Sequence, residues 1–243
     1  MKLKSAIAGN IALTLVALTA QSCLAQRAGD DIVYLGWAQL VPSSSLSSVT
    51  NTNAALNGFT ANTTAKVDST ETTVITWFHM FTDNIAGELT LGIPPNMTST
   101  LQAPNAGGAG LTATPIGNAI TQSVSFPSVL AKYLFNDAGS TVRPYLGLGV
   151  NYTQFDNIQP RLGVNTVSAF AGNGISLSSS WNPAFSAGLI YNINNRWSIN
   201  AAVAYVPLST TVTLRGPAGG GNTATSTLTI NPTDYTVKIG YRF

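Results

Sequence analysis

All-β architecture, in the form of an eight-stranded antiparallel up-and-down transmembrane β-barrel, is predicted by three features of the 243-residue chain. The first 25 residues have the build of an export signal, with Lys2 and Lys4 ahead of an apolar stretch from Ile11 to Ala20. Eight later stretches alternate apolar and polar residues with a period of two, which marks strands with two unlike faces. The connections between these stretches are by turns long and short, as an up-and-down barrel with long outer loops and short periplasmic turns requires.

The export segment comes first. Cys23-Leu24-Ala25 places small residues at the −3 and −1 positions for cleavage before Gln26. Residues 1–25 are expected to be removed, leaving 26–243 as a single outer-membrane barrel domain. The apolar stretch is too short to span a bilayer, and no later segment approaches the roughly 20 uninterrupted apolar residues of a membrane helix. Cys23 is the only cysteine, and lipidation there is the competing reading. The preceding Ala20-Gln21-Ser22 lacks the large aliphatic residue of a lipoprotein site, which argues against it. Cleavage takes away Cys23, Lys2 and Lys4, so the mature chain is thiol-free and keeps nine basic residues against nine acidic ones. That excludes a disulfide framework and a basic surplus for nucleic acid.

Charged residues make up only 8% of the chain, against about a quarter in ordinary soluble domains. Ser, Thr, Asn and Gln supply the polarity instead, and a water-facing exterior normally carries interspersed charge. Much of the outer surface is therefore expected to meet something other than water. Disordered chains are charge-rich and aromatic-poor, whereas this one has 4 Trp, 8 Tyr and 9 Phe.

In chain order the candidate strands are residues 32–41, 72–81, 85–93, 124–135, 142–155, 181–193, 197–207 and 234–243. In the fifth, Pro144, Leu146, Leu148, Val150 and Tyr152 alternate with Arg143, Tyr145, Gly147, Gly149, Asn151 and Thr153. In the seventh, Trp197, Ile199, Ala201, Val203 and Tyr205 alternate with Ser198, Asn200, Ala202 and Ala204. The last sets Tyr235, Val237, Ile239, Tyr241 and Phe243 against Asp234, Thr236, Lys238, Gly240 and Arg242. Periodicity alone does not choose between a soluble sandwich and a membrane barrel. The alternating aromatics that end on Phe243 resemble the signal read by the outer-membrane assembly machinery, with Tyr235, Tyr241 and Phe243 as its carriers.

Connections 43–70, 94–122, 156–180 and 214–227 are long; Thr82-Asp83-Asn84, 136–141 and 193–196 are short. A Greek-key sandwich gives no reason for this regularity. The long connections are rich in small polar residues and glycine and are expected to be surface loops.

Several motifs resemble the OmpW family of outer-membrane proteins. They are Phe81-Thr82-Asp83-Asn84-Ile85-Ala86-Gly87-Glu88-Leu89, Tyr133-Leu134-Phe135, Arg143-Pro144-Tyr145-Leu146-Gly147-Leu148-Gly149, Asn192-Ile193-Asn194-Asn195-Arg196-Trp197 and Gly240-Tyr241-Arg242-Phe243. They run in the family's order across about residues 32–243. The resemblance implies a channel in the outer membrane of a Gram-negative bacterium, with a narrow apolar lumen. Small hydrophobic molecules would pass through it passively and leave sideways through a gap in the wall. Implied partners are outer-membrane lipid, lipopolysaccharide, such solutes and, during biogenesis, the barrel-assembly machinery. The sequence departs from the family at Val206-Pro207-Leu208-Ser209-Thr210-Thr211 and at Ser178-Ser179-Ser180, where acidic residues are usual.

On these parities Glu88, Lys132, Arg143, Lys238 and Arg242 face the lumen near its periplasmic end, together forming a charge plug. Buried charges need partners, so the plug either only holds the barrel's shape or also blocks the straight exit. At mid-barrel Thr90, Asn200, Ala202 and Ala204 line the predicted path. Relatives can carry bulky apolar residues at the positions of Thr90 and Ala204, so the lumen here is wider, or facing strands compensate the volume. His79 is the only histidine and is expected to point outward beside Trp77 and Phe81. With no second histidine and no mature cysteine, the usual transition-metal ligand set is missing. No base is placed beside a nucleophile at the outer leaflet, so no catalytic residue, metal or cofactor is assigned. The competing class is a non-transporting structural or receptor barrel acting through its loops. A lumen charged along its whole length would favour that class, and an apolar upper lumen a channel.

Overall fold

The alternating runs form strands, and short polar turns reverse them. The computed structural model describes residues 26–52, 64–102, 116–160, 174–215 and 223–243. The export segment 1–25 and the glycine-rich patches 106–110 and 219–221 lie outside the described residues. In chain order the strands are β1 (Asp31–Val41), β2 (Ser45–Leu46), β3 (Thr50–Asn51), β4 (Thr64–Val67), β5 (Thr70–Met80), β6 (Ile85–Gly92), β7 (Asn96–Gln102) and β8 (Ile116–Ser125). There follow β9 (Ser128–Leu134), β10 (Val142–Pro160), β11 (Ile175–Leu177), β12 (Ser180–Asn192), β13 (Trp197–Tyr205), β14 (Ser209–Arg215), β15 (Thr223–Thr229) and β16 (Thr233–Arg242).

Eight of these close a barrel in the order β1-β5-β6-β9-β10-β12-β13-β16, every neighbour antiparallel. β16 returns to β1 with the register Ile32↔Arg242 to Val41↔Thr233. β10 meets β12 from Val142↔Tyr191 to Thr153↔Ser180. Up to the level of Thr90↔Ser128, closure leaves the wall without an edge and satisfies its backbone groups, as the bilayer interior demands.

The turns explain the short connections. Thr82 Oγ1 accepts from the backbone N–H groups of Asn84 and Ile85 at 3.2 and 2.9 Å. Asn194 Oδ1 does the same for Arg196 and Trp197, both at 2.9 Å. Asn136 adopts a left-handed φ of 65°, a conformation that asparagine tolerates better than most residues.

The two faces separate as the alternation predicts. Val203, Leu146, Leu148, Val237 and Ile239 are exposed on the outer wall, while Glu88, Arg143 and Lys238 are buried inside. Two tryptophans bracket the apolar belt: Trp77 Nε1 donates to Asp31 Oδ1 at 2.9 Å near the short turns, and Trp37 Nε1 donates to Glu71 Oε2 at 3.2 Å on the opposite side. An apolar ring with one polar handle suits the membrane–water boundary.

Two expectations are corrected. The run 124–135 is not one strand: β8 ends at Ser125, β9 begins at Ser128, and Phe126-Pro127 lies between them. Proline has no N–H to give to a ladder, and the break falls there. The long connections are not plain loops, because they carry β2, β3, β4, β7, β8, β11, β14 and β15. β10 has 19 residues, about 60 Å at roughly 3.3 Å per residue. A hydrocarbon core about 30 Å thick cannot contain that length even at a 45° tilt, so the strand continues outside it. There it pairs with β8, and β8 with β7 and β7 with β4. β11, β14, β15 and β2 form a second sheet, with β3 on β15. The inner sides of these extensions supply most of an upper apolar cluster that includes Val67, Met97, Phe155, Leu208 and Leu228.

Candidate functional site

The lumen is built in layers. At the periplasmic end, Arg143 is fully buried and donates to backbone oxygens: Gln26 at 3.0 Å, Asn136 at 3.3 Å, Phe135 at 3.4 Å, and Asp83. The guanidinium thus ties the chain entering β1 to two short turns. Gln26 Nε2 in turn donates to Asn192 Oδ1 at 3.1 Å. Above this lies an apolar tier of Ile32, Tyr34, Phe78, Met80, Leu134 and Ile190.

The next tier is ionic. Glu88 Oε2 lies 2.7 Å from Lys132 Nζ and 3.3 Å from Lys238 Nζ, and all three side chains are buried. Lys238 Nζ also donates to Thr76 Oγ1 at 3.2 Å, and Thr76 and Thr90 share a hydroxyl contact at 3.0 Å. Lys132 Nζ sits 4.2 Å from the centre of the Tyr145 ring, whose hydroxyl donates to Asn200 Oδ1 at 2.9 Å. The Tyr34 ring lies against Gly240, where any Cβ would collide with it. That missing side chain makes room for the Tyr34 ring below Lys238, whose ammonium lies 5.8 Å from the ring centre.

Above the ionic floor the lumen turns apolar. A chamber of about 610 Å³, its mouth included, is lined by Ala38, Val74, Leu130 and Ala184 and has Glu88, Lys132 and Lys238 at its base. A second space of about 400 Å³ follows, with Met97, Val124, Phe155 and Ile230 on its walls. Leu40, Phe126, Val206 and Asp234 border both spaces and form the neck between them. Further out, a third space of about 520 Å³ lies among Leu46, Ile120, Leu177, Val212 and Leu228 of the extended sheets.

The wall is interrupted beside the neck. The β6–β9 ladder ends at Thr90↔Ser128, and pairing resumes in β7–β8 at Asn96↔Ser123. Between these levels Pro94, Pro95 and Pro127 have no N–H to offer. Val124 N–H donates to Pro95 O at 3.0 Å, while Ile93 N–H turns the other way, to Thr73 O at 2.9 Å. The Phe126 ring lies over Gly92, in the space a Cβ would take.

The structure sorts the expected site residues. Thr90, Ala202 and Ala204 line the lower chamber, but Asn200 does not: it is fully buried in the floor with Tyr145. Glu88, Lys132 and Lys238 meet; Arg143 and Arg242 do not join them. Arg143 is held by carbonyls one tier lower, and Arg242 Nη1 pairs with Asp30 Oδ2 at 2.9 Å near the rim. A single mixed plug is therefore replaced by two tiers, because Arg143 is held by neutral acceptors and not by facing acids. Tyr235 and Phe243 are exposed on the outer wall, and Tyr241 packs between Trp197 and Phe243 at ring distances of 5.0 and 5.2 Å. His79 faces outward, bonded to Asp31 at 2.9 Å and edge-on to Phe81 at 4.9 Å. Phe126 and Gln26 were missed. The inward parity of the run 124–135 could have found Phe126, but nothing in the sequence signals Gln26. Among the described residues no group of three His, Cys, Asp or Glu side chains gathers as a metal site would.

A closed eight-stranded wall, an apolar belt between tryptophan anchors and a buried ionic floor define a small outer-membrane β-barrel. The OmpW family model matches residues 27–243, and the chain belongs to that family. Outer membrane protein W of Vibrio cholerae serotype O1 is 32% identical over 231 residues, spanning 94% of this chain and 95% of that protein. The crystal structure of the outer membrane protein OprG from Pseudomonas aeruginosa aligns with a TM-score of 0.76 at 28% identity, covering 91% of this chain and 99% of that one. The solution structure of Escherichia coli outer membrane protein W aligns at 0.53 with 27% identity, over 89% of this chain and 99% of that one.

Proposed function

We propose that the barrel is a passive channel for small hydrophobic molecules, entered from outside through the apolar spaces and left sideways into the bilayer. The observation that carries this reading is the end of the apolar column on a charged floor, with the break in the wall at the neck just above it. A hydrocarbon moving inward loses water contact along the upper spaces, worth roughly 25 cal/mol per Å² of apolar surface. At the floor it meets two ammonium groups and a carboxylate already satisfied by one another, and continuing straight would mean separating them. The neighbouring stretch, with its prolines and the Phe126–Gly92 contact, has few ladder bonds to give up. Lipopolysaccharide is a polar barrier to such solutes, and the lumen is too narrow for hydrated ones.

In the same reading the chain has no catalytic role, residues 1–25 are an export signal cleaved before Gln26, and Tyr235, Tyr241 and Phe243 are read during assembly. Its standing partners are membrane lipid and lipopolysaccharide. The test is uptake of a panel of apolar solutes by liposomes with and without the protein, and by cells against a deletion strain. Faster uptake of apolar solutes, with sugars unchanged, is expected. Unchanged uptake of every solute would leave a structural or receptor barrel instead.

A further inference from the structure

Two unsatisfied polar atoms stand out in the lower chamber. Asp234 Oδ1 and Ser186 Oγ are buried without a hydrogen-bond partner, and both residues line the same space. Asp234 also belongs to the neck, with Leu40, Phe126 and Val206 as the apolar remainder. Its cross-strand neighbours are Leu40 on β1 and Ala204 on β13, neither of which can answer a carboxylate. The inward lysine on its own strand, Lys238, is four residues away, about 13 Å at roughly 3.3 Å per residue. The Lys238 ammonium is turned to Glu88 and Thr76 at 3.3 and 3.2 Å, and Lys132 is held by Glu88 at 2.7 Å. A carboxyl oxygen stripped of water and left unmatched is costly, and a solute that fills the neck can match it.

We propose that this neck is a head-group site, and that its preferred occupants are hydrophobic solutes ending in a hydrogen-bond donor, alkylammonium ions above all. The alkyl chain would lie among Leu40, Phe126 and Val206. The head would donate to Asp234 Oδ1. Alkyl carboxylates meet the Asp234 carboxyl at the neck, and the ammonium groups of the floor are already held by Glu88, so they are disfavoured. This inference rests on the channel reading for the route by which the neck is reached, and it names the class of solute held there.

The experiment compares equilibrium binding of n-octylammonium, n-octanoate and n-octane to the protein in phosphatidylcholine nanodiscs, with empty discs as background. Wild type is expected to bind the ammonium about tenfold or more tightly than the carboxylate, the size of one charge-assisted hydrogen bond. Asp234→Asn should bring the two within about twofold. Equal binding of the two ions by wild type, or a preference that survives in Asp234→Asn, overturns the proposal. Should the variant fail to fold, the ¹³C signal of the Asp234 carboxyl in wild type decides: a shift with octylammonium and none with octanoate supports the site, and the absence of any shift refutes it. Uptake of n-octane into vesicles reports on the channel reading alone, so its failure is distinguishable from failure of the head-group site.

Discussion

Lys132 Nζ lies 2.7 Å from Glu88 Oε2 and 4.2 Å from the centre of the Tyr145 ring, with every group buried. Glu88 also serves Lys238 at 3.3 Å, so one carboxylate holds two ammonium groups out of water. Glu88→Gln removes the anion and keeps the shape, leaving two buried cations facing each other. A loss of about 3–5 kcal/mol is expected, as when one partner of a buried pair is deleted. Urea unfolding in liposomes, followed by tryptophan fluorescence, measures it. Changing Glu88, Lys132 and Lys238 together to apolar residues of similar volume should recover most of that loss.

Arg143 reaches the carbonyls of Gln26, Asp83, Phe135 and Asn136 from one planar group. A lysine ammonium is a point charge and cannot span them. Arg143→Lys should therefore free the chain around Gln26 before it affects the barrel. Limited trypsin digestion after Arg27 is expected to speed up severalfold at an unchanged unfolding midpoint for the wall. Equal digestion rates would show that other contacts hold this segment.

Phe126 borders both lower spaces and rests on Gly92. Removing the ring widens the neck and loosens the interrupted wall together. Phe126→Ala is expected to raise the rate of n-octane transfer into vesicles severalfold, and Phe126→Trp to lower it. Stopped-flow uptake into vesicles of matched protein content would show both changes. If both variants move the rate in the same direction, Phe126 does not set the passage.

Leu148 is 59% exposed and sits amid the outer apolar belt. Leu148→Arg places a charge against lipid and should cost about 2–4 kcal/mol near the bilayer midplane, less if the position lies towards a boundary. Reversible folding into phosphatidylcholine bilayers provides the measurement. A cost near zero would mean that this face meets water.

The wall was legible because a barrel in lipid repeats one instruction. Tyr235, Val237 and Ile239 outward against Thr236, Lys238 and Gly240 inward is a pattern that needs no knowledge of any partner strand. What escaped depended on partners. Arg143 looks like any inward cation until the carbonyls of three separate segments are brought around it. Asn200 has the same parity as Ala202, yet only the level of the Tyr145 hydroxyl decides that it belongs to the floor and not to the path. The outer strands were hidden for another reason. Their residues are Ser-, Thr- and Asn-rich with short apolar alternations, and they become strands by adding on to the ends of an existing sheet.

The ionic floor closes the described lumen from below, which makes it a cup and not a tube. Glu88 on β6 reaches across it to Lys238 on β16, a strand three places away around the wall, as well as to Lys132 on the neighbouring β9. The same three side chains that close the lumen thus brace the cylinder from inside, and the lower barrel resists flattening by the lipid around it.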